Sequence, residues 1–250
     1  VAVFFCGKRI DAITFDFWWT LFKDADGRAD TSVQKLRLDF IIDIARLYGR
    51  KVDTQDARDA FEAARQFFEE NHKEGRFISP VTITRRLFSD LDIELAPHEA
   101  RIVSERLSQL GIYARLILIE GGDELIRFLK NRGVRIGLIS DTVMTKGRHL
   151  VWHLRKHKII SFFDYLVFSD EIGVVKPNNI VFSIAAEKLG AQAENCLHIG
   201  DFPWSDIEGA KRSGFFAVQF TGGFGPEAEN IHPDADFVAK SFKEVIQLLR

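Results

Sequence analysis

The feature that most constrains this chain is a series of short apolar, β-rich runs that end in polar or charged residues and alternate with helical stretches. Ile10 to Asp16 reads IDAITFD, and Leu116 to Ile119, Val134 to Ser140, Tyr165 to Ser169, Asn195 to Asp201 and Phe215 to Phe220 repeat its character. None alternates strictly between apolar and polar residues, which is the pattern of strands covered on both faces, as in parallel sheets. Helical stretches near 122–132, 145–157, 178–189, 205–213 and 241–249 separate these runs. Because β-α-β crossovers are right-handed, the alternation predicts an α/β fold built on a doubly wound parallel sheet. Ligand sites in such sheets lie beyond the C-terminal ends of the strands.

Between about residues 31 and 110 the period changes from strand to helix. Leu36, Phe40, Ile44 and Leu47 mark one helical face, and Phe61, Ala64 and Phe68 a second. Leu87 and Leu91 mark a third, and Ile102, Val103, Leu107 and Leu110 a fourth. Gly49, Gly75, Pro80, Pro97 and Gly111 punctuate the block, so it reads as a compact helical insert. A chain of 250 residues is longer than one ordinary domain of ~150. The expected organisation is a Rossmann-like catalytic core from residues 1–22 and 115–250, interrupted by a four-helix cap at 23–114.

Composition closes off other classes. Lys plus Arg total 34 against 36 Asp plus Glu, a formal charge of −2, which argues against broad electrostatic binding to nucleic acid or to an anionic membrane. At 46% hydrophobic and 28% charged, the chain is an ordinary globular one rather than a disordered one. Cys6 and Cys196 lie almost a chain length apart, so they form neither a disulfide framework nor a metal-ligand pair. The longest apolar runs, such as Ile112 to Ile119, are interrupted by an Arg and fall short of a ~18-residue membrane span. The apolar stretch Val1 to Cys6 precedes Lys8 and Arg9, the reverse of a secretory signal. A reducing cytoplasm is the expectation. Residues 1–8, which open on Val in a chain whose one Met is Met144, read as extra sequence. Nothing in the sequence speaks to oligomeric state.

The chemistry sits at strand ends. Asp16 ends the first run in FDFWWTLF, Ser140 ends another in GLISDT, Lys176 lies in GVVKP, and Asp201 and Asp206 lie in IGDFPWSDIEGAKRSG. Gathered at one sheet edge they would supply a carboxylate nucleophile, a hydroxyl donor, a cation and two metal-binding carboxylates. That set suits displacement at phosphorus. A hard cation such as Mg2+ takes oxygen ligands and keeps some water, so a few carboxylates and a phosphate oxygen make a sensible shell. Lys176 and Ser140, with backbone amides after the strand, would hold phosphoryl oxygens as charge rearranges.

These motifs resemble those of the haloacid dehalogenase superfamily, in particular members with a helical cap inserted between the first and second motifs. The resemblance rests on Asp16 with Thr20-Leu21-Phe22, on Ser140, on FFDYLVFSDEIGVVKPNNIVFSIAAEKLG at 162–190, and on IGD through GAKRSG at 199–214, and it covers nearly the whole chain. It implies a Mg2+-dependent phosphatase of a small phosphorylated metabolite, in which Asp16 becomes an aspartyl intermediate that water hydrolyses. By the same resemblance Ser140 and Lys176 bind phosphate, with Asp141 and Trp18 among the substrate-binding residues. Asp201 binds Mg2+ directly, Asp206 supports it through water or Lys176, and Asp16 and the backbone carbonyl of Trp18 complete the metal's ligands.

One position departs from the pattern. Phosphatases of the superfamily carry a second Asp two residues after the nucleophile, which protonates the leaving oxygen and later activates water. Here that position is Trp18. Loss of a positioned acid/base costs ~10²–10⁴-fold in rate, least for good leaving groups. Asp24, Asp26, Glu69, Glu70 and His72 are candidates for a substitute acid from the cap. A non-acidic residue at this place also fits a 2-haloacid dehalogenase, where Arg28, Arg37 or Arg46 would cradle the halide, although those enzymes work without metal and Asp201 is present here. A third reading is a catalytically weak protein that binds phosphate or a partner. Trp18 and Trp19 either pack under the cap or line a substrate pocket.

Other features read as structural. His149, His153 and His157 share a helix face by their spacing, which fits a polar outer face better than a metal site. His198 reads as a packed core histidine, Glu69 to Arg76 as a solvated helix end, and Gly222, Gly223 and Gly225 as a flexible loop without dinucleotide-binding spacing.

Overall fold

The computed structural model describes residues 2–25, 31–225 and 229–249, without the side chains of residues 31 and 32. The strands in chain order are β1 (Val3–Phe5), β2 (Lys8–Ile10), β3 (Ala12–Phe15), β4 (Phe22–Asp24), β5 (Leu116–Leu118), β6 (Arg135–Ser140), β7 (Tyr165–Phe168), β8 (Cys196–Gly200), β9 (Phe216–Phe220) and β10 (Phe237–Ala239). The helices are α1 (Thr31–Leu47), α2 (Thr54–Lys73), α3 (Pro80–Ser89), α4 (Pro97–Gln109), α5 (Gly122–Lys130), α6 (Gly147–Lys156), α7 (Ser169–Ile172), α8 (Asn179–Leu189), α9 (Glu208–Arg212) and α10 (Phe242–Leu248). A short π-helical turn, Pro203–Ile207, leads into α9.

A six-stranded sheet in the order β10-β9-β8-β3-β6-β7 carries the fold, and its neighbouring strands are parallel. Every residue of β3 and β8 is buried, which accounts for the absence of alternation in AITF and CLHIG. From β3 the chain steps outward through β6 to β7, then returns to β8 on the other side and steps out through β9 to β10. The direction of winding therefore reverses around β3, and the crevice at its C-terminal end is the place where such sheets bind ligands. The α/β, doubly wound, Rossmann-like architecture expected from the sequence is the one found.

Several elements differ from expectation. Leu116–Leu118 is a strand, but it pairs with β4 in a two-stranded sheet of its own rather than joining the main one. Val3–Phe5, within the residues 1–8 expected to be extra sequence, pairs antiparallel with Lys8–Ile10, so that Val3 faces Ile10 and both are buried. β10, a strand of three residues, is too short to announce itself by pattern.

By its contacts the chain divides into two compact units, one of Val1–Lys23, Leu116–Asp141 and Leu154–Arg250, the other of Asp24–Arg115 and Thr142–His153. In the first, α8 packs Val181, Phe182, Ala185 and Leu189 against the sheet, and Phe242 of α10 stacks on Phe220 at 4.3 Å. Burying each such Phe contributes roughly 1.5–3 kcal/mol.

The second unit has its own core, with Phe61, Ala64, Phe68, Ile83, Leu87, Phe88, Val103 and Leu107 at its centre. Its helices begin where capping chemistry allows: the Asp53 side chain accepts from the backbone of Gln55 and Asp56, and Ser79 caps α3 ahead of Pro80. On α1 the buried face is Leu38, Ile41 and Ala45, whereas Leu36 and Leu47 of the expected face are exposed. Ile102 on α4 is exposed as well, and Val103 beside it is buried. Thr142–His153, assigned to the core from the sequence, belongs to this second unit, where Met144 is buried in the apolar cluster. Nor are the three regularly spaced histidines a solvent face. His153 is buried and donates to the carbonyl of Gly111 at 3.0 Å, His149 bonds Ser108 at 2.7 Å, and His157, in the first unit, donates to the carbonyl of Leu116 at 3.1 Å. They satisfy backbone and hydroxyl groups that would otherwise be buried without partners.

Candidate active site

Asp16 is the first residue beyond β3, Ser140 closes β6 and Asp201 is the first residue beyond β8, so the parallel register sets all three at the same edge of the sheet. Asp206 reaches that edge from the Pro203–Ile207 turn, and Lys176 from the loop before α8. The Lys176 ammonium donates to Asp16 Oδ1 at 2.5 Å, to Asp206 Oδ1 at 2.6 Å and to the carbonyl of Ile139 at 3.3 Å. Those three bonds use every proton the ammonium has. The carboxylates of Asp16, Asp201 and Asp206 each place an oxygen within 4.8 Å of the others, and all three residues are buried.

Electrostatics separate the three acids. Burial pushes Asp16 up to about 7, with Lys176 pulling it down and Asp206 adding to the rise. Asp201 stands well above the ordinary carboxylate range, first through burial and then through the charges of Asp16 and Asp206. Asp206 is the exception: burial alone would raise it, but Lys176 and His198 outweigh that and hold it well below the usual range. Burial also disfavours charge on Lys176, yet Asp16 and Asp206 more than offset it and keep the ammonium well above its ordinary value.

A divalent cation fits this arrangement. Asp201 Oδ1 accepts from the Thr20 hydroxyl at 3.5 Å, and its Oδ2 is buried with no hydrogen-bond partner among the described residues. An unsatisfied buried carboxylate oxygen is costly. Among three clustered carboxylates, a hard cation relieves both that cost and their mutual repulsion.

The other predicted residues take different places. Ser140 is buried at the strand end, and its hydroxyl makes a long contact of 3.4 Å to the carbonyl of Asp141. The carboxylate of Asp141 accepts from the backbone N–H of Lys176 at 3.2 Å, tying the lysine loop to β6. Trp18 is half-buried, its ring edge-on to Phe17 at 5.0 Å, in a tight loop closed by backbone bonds from Leu21 and Phe22 to the carbonyl of Phe17. Of the candidate cap residues, Asp26 and Arg28 lie outside the described residues. Arg37 bonds Thr145 at 2.6 Å, Arg46 pairs with Asp43 and Glu69 with Arg65, while His72 stacks on Phe68 and Asp24 is buried. Glu70 is exposed.

Sequence reasoning did not single out Thr14, and read His198 only as packing. His198 is a core histidine, as expected, but it is also bonded. Its Nδ1 lies 2.8 Å from the Thr14 hydroxyl and its Nε2 3.1 Å from Asp206 Oδ1. The available signal was a polar residue inside each of two otherwise apolar strands. Gly200 also has a local reason: a Cβ there would lie 2.5 Å from Asp206 Cβ and 2.6 Å from its Oδ2, so only glycine leaves room for that carboxylate.

A family profile described as haloacid dehalogenase-like hydrolase matches residues 10–214. The glyceraldehyde 3-phosphate phosphatase of Methanopyrus kandleri is 32% identical over 124 residues, 49% of this chain and 52% of that protein. The chain thus spans about half the length of the curated relatives it matches. In fold it is similar to the HAD-hydrolase YfnB of Bacillus subtilis, with a TM-score of 0.68 at 18% identity over 97% of this chain and 99% of that one. It is nearly as similar to a 2-haloacid dehalogenase of Pseudomonas syringae, with a TM-score of 0.67 at 17% identity over 96% and 97% of the two chains. Likeness at this level of identity shows the fold and leaves the chemistry to the site. With the profile spanning all the motif-bearing strands and the acids gathered at their ends, the chain belongs to the haloacid dehalogenase-like hydrolases.

Proposed function

We propose that this chain is a Mg2+-dependent phosphatase of a small phosphorylated metabolite, with Asp16 as its nucleophile, Asp201 and Asp206 as metal residues, and residues 23–114 as its cap. The observation that carries the reading is the buried cluster of Asp16, Asp201 and Asp206 around Lys176, with Asp201 Oδ2 unpartnered. The relative named as a glyceraldehyde 3-phosphate phosphatase, matched over 52% of its length, supports the substrate class. The buried acids favour this reading over metal-free dehalogenation. Free Cys6 and Cys196 fit a reducing compartment such as the cytoplasm, and no helix among the described residues is long and apolar enough to cross a membrane.

A carboxylate oxygen of Asp16 attacks phosphorus as the bond to the leaving oxygen breaks and takes its electron pair. Water then cleaves the aspartyl phosphate, releasing inorganic phosphate and restoring the carboxylate. A bound divalent cation would keep the acids ionised and draw off charge from the phosphoryl oxygens. Lys176 holds Asp16 and Asp206 in place and brings positive charge to the phosphoryl group. It binds a phosphoryl oxygen by surrendering its longest bond, the one to Ile139. Ser140 and Asp141 would hold phosphoryl oxygens from the end of β6, and the Trp18 carbonyl would be a further metal ligand. Trp18 supplies no proton, so the leaving oxygen departs without help from that position.

The test is hydrolysis of an aryl phosphate by purified protein with Mg2+, compared with Asp16→Asn. Wild-type turnover well above that of the variant is expected. Equal rates would sink the proposal, and metal-independent halide release from a 2-haloacid would favour the dehalogenase instead.

A further inference from the structure

Thr14 and His198 are direct partners across the β3–β8 ladder, at the centre of the sheet, and both are fully buried. The His198 ring is edge-on to Phe182 at 5.2 Å, which fixes its plane. Its Nε2 faces Asp206 Oδ1 at 3.1 Å, and its Nδ1 faces the Thr14 hydroxyl at 2.8 Å. An ionised carboxylate only accepts, so Nε2 carries the hydrogen and donates to Asp206. Nδ1 then accepts, and the Thr14 hydroxyl is the donor that selects this tautomer. Asp206 completes its shell with Lys176 at Oδ1 and with the backbone N–H of Phe202 at Oδ2, 2.9 Å away. Its carboxylate is therefore clamped from three sides by groups belonging to a strand, a loop and a turn.

We propose that His198, oriented by Thr14, is a positioning residue that fixes the Asp206 carboxylate for cation binding. The inference rests on the metal reading above but concerns a different layer: Thr14 and His198 lie fully buried within the sheet, behind the acids. Without the imidazole N–H, Asp206 Oδ1 would be left to Lys176 alone, and one of the three bonds that set the angle of the carboxylate toward Asp16 and Asp201 would be lost. Groups that orient metal ligands in this way change metal affinity by ~10–100-fold when removed.

Mg2+ binding to the substrate-free full chain, measured by calorimetry, tests this without reference to turnover. His198→Phe keeps the ring and loses both nitrogens, and Thr14→Val keeps the shape and loses the hydroxyl. Each is expected to weaken Mg2+ binding about tenfold, while His198→Gln, whose amide can still donate to Asp206, recovers part of the loss. In an Asp206→Asn background, His198→Phe is expected to cost little more, because the group it positions is already gone. Full-sized, additive losses in the double variant would show a general packing role and overturn the proposal. So would a folded His198→Phe with wild-type affinity. If His198→Phe does not fold, Thr14→Val decides the question by the same measurement. A wild-type protein that takes up no Mg2+ would overturn the metal reading and this inference together, whereas wild-type binding that survives both variants overturns the inference alone.

Discussion

Trp18 is the residue whose chemistry most sets this chain apart from the pattern it otherwise follows. It stands two positions beyond Asp16, where an indole neither protonates a leaving oxygen nor activates water. Trp18→Asp is therefore expected to raise turnover on alkyl phosphates, whose leaving oxygens need a proton, by up to ~10²-fold, and to change aryl phosphates much less. Steady-state rates across a series of leaving groups check this, and unchanged alkyl turnover in a folded variant would count against it. A second prediction concerns the acids. Asp16 is raised in the folded protein, to about 7 from 3.8, so its contribution to stability is present at low pH and is lost as pH rises through about 7. Asp201 shifts in the same direction, while Asp206, held low, loses its contribution only in acid. A cation that holds the acids ionised removes the penalty that grows with pH, so the rise in Tm on adding Mg2+ should be larger at pH 8 than at pH 5. Equal rises at the two pH values would contradict it. At this scale Asp16, Ser140 and Asp201 stood out in the sequence because each closes an apolar run, and the fold brings Lys176 and Asp206 to the same sheet edge from a loop and a turn. Thr14 did not stand out, because a threonine within a strand is ordinary and its meaning comes from the residue opposite.

Elements decide how those residues meet. The loop after β9 was readable only as a glycine-rich turn, yet it borders the site. A Cβ at Gly225 would lie 2.6 Å from Asp201 Oδ2 and 3.0 Å from Trp19 Cβ, so the loop backs directly onto the unpartnered oxygen. Gly225→Ala should displace the Asp201 carboxylate and weaken Mg2+ binding about tenfold, with little change in Tm. Calorimetry beside thermal melts checks it, and unaltered affinity would mean that the loop yields instead. The helices show why periodicity alone was not enough. α1 carries apolar residues at Leu36, Leu38, Phe40, Ile41, Ile42, Ile44, Ala45 and Leu47, which make overlapping stripes. Counting selects either stripe, and packing buried Leu38, Ile41 and Ala45. The stretch from His149 to His157 presented the converse problem, because polar histidines suggested a wet face while the chain used them to satisfy carbonyl and hydroxyl groups.

Across the whole molecule, the two units have separate apolar cores, and this has a consequence for stability. Phe88→Ala removes a fully buried ring from the second unit and should cost ~3–5 kcal/mol there. Hydrogen exchange is expected to lose protection first within Asp24–Arg115, while the amides of β3 and β8 stay protected. Uniform loss through both units would show a single cooperative fold instead. The doubly wound sheet, the helical insert and the acids at strand ends follow from local pattern, since burial on both faces and the period of a helix are written into adjacent residues. Pairings between residues far apart in the chain are not. The partner of β5, the unit to which Thr142–His153 belongs, and the contact of His198 with Thr14 and Asp206 depend on side chains up to 184 positions apart meeting in a packed interior. Which of several acceptable local choices survives there is settled by whether each buried polar group finds a partner, and only the assembled fold supplies one.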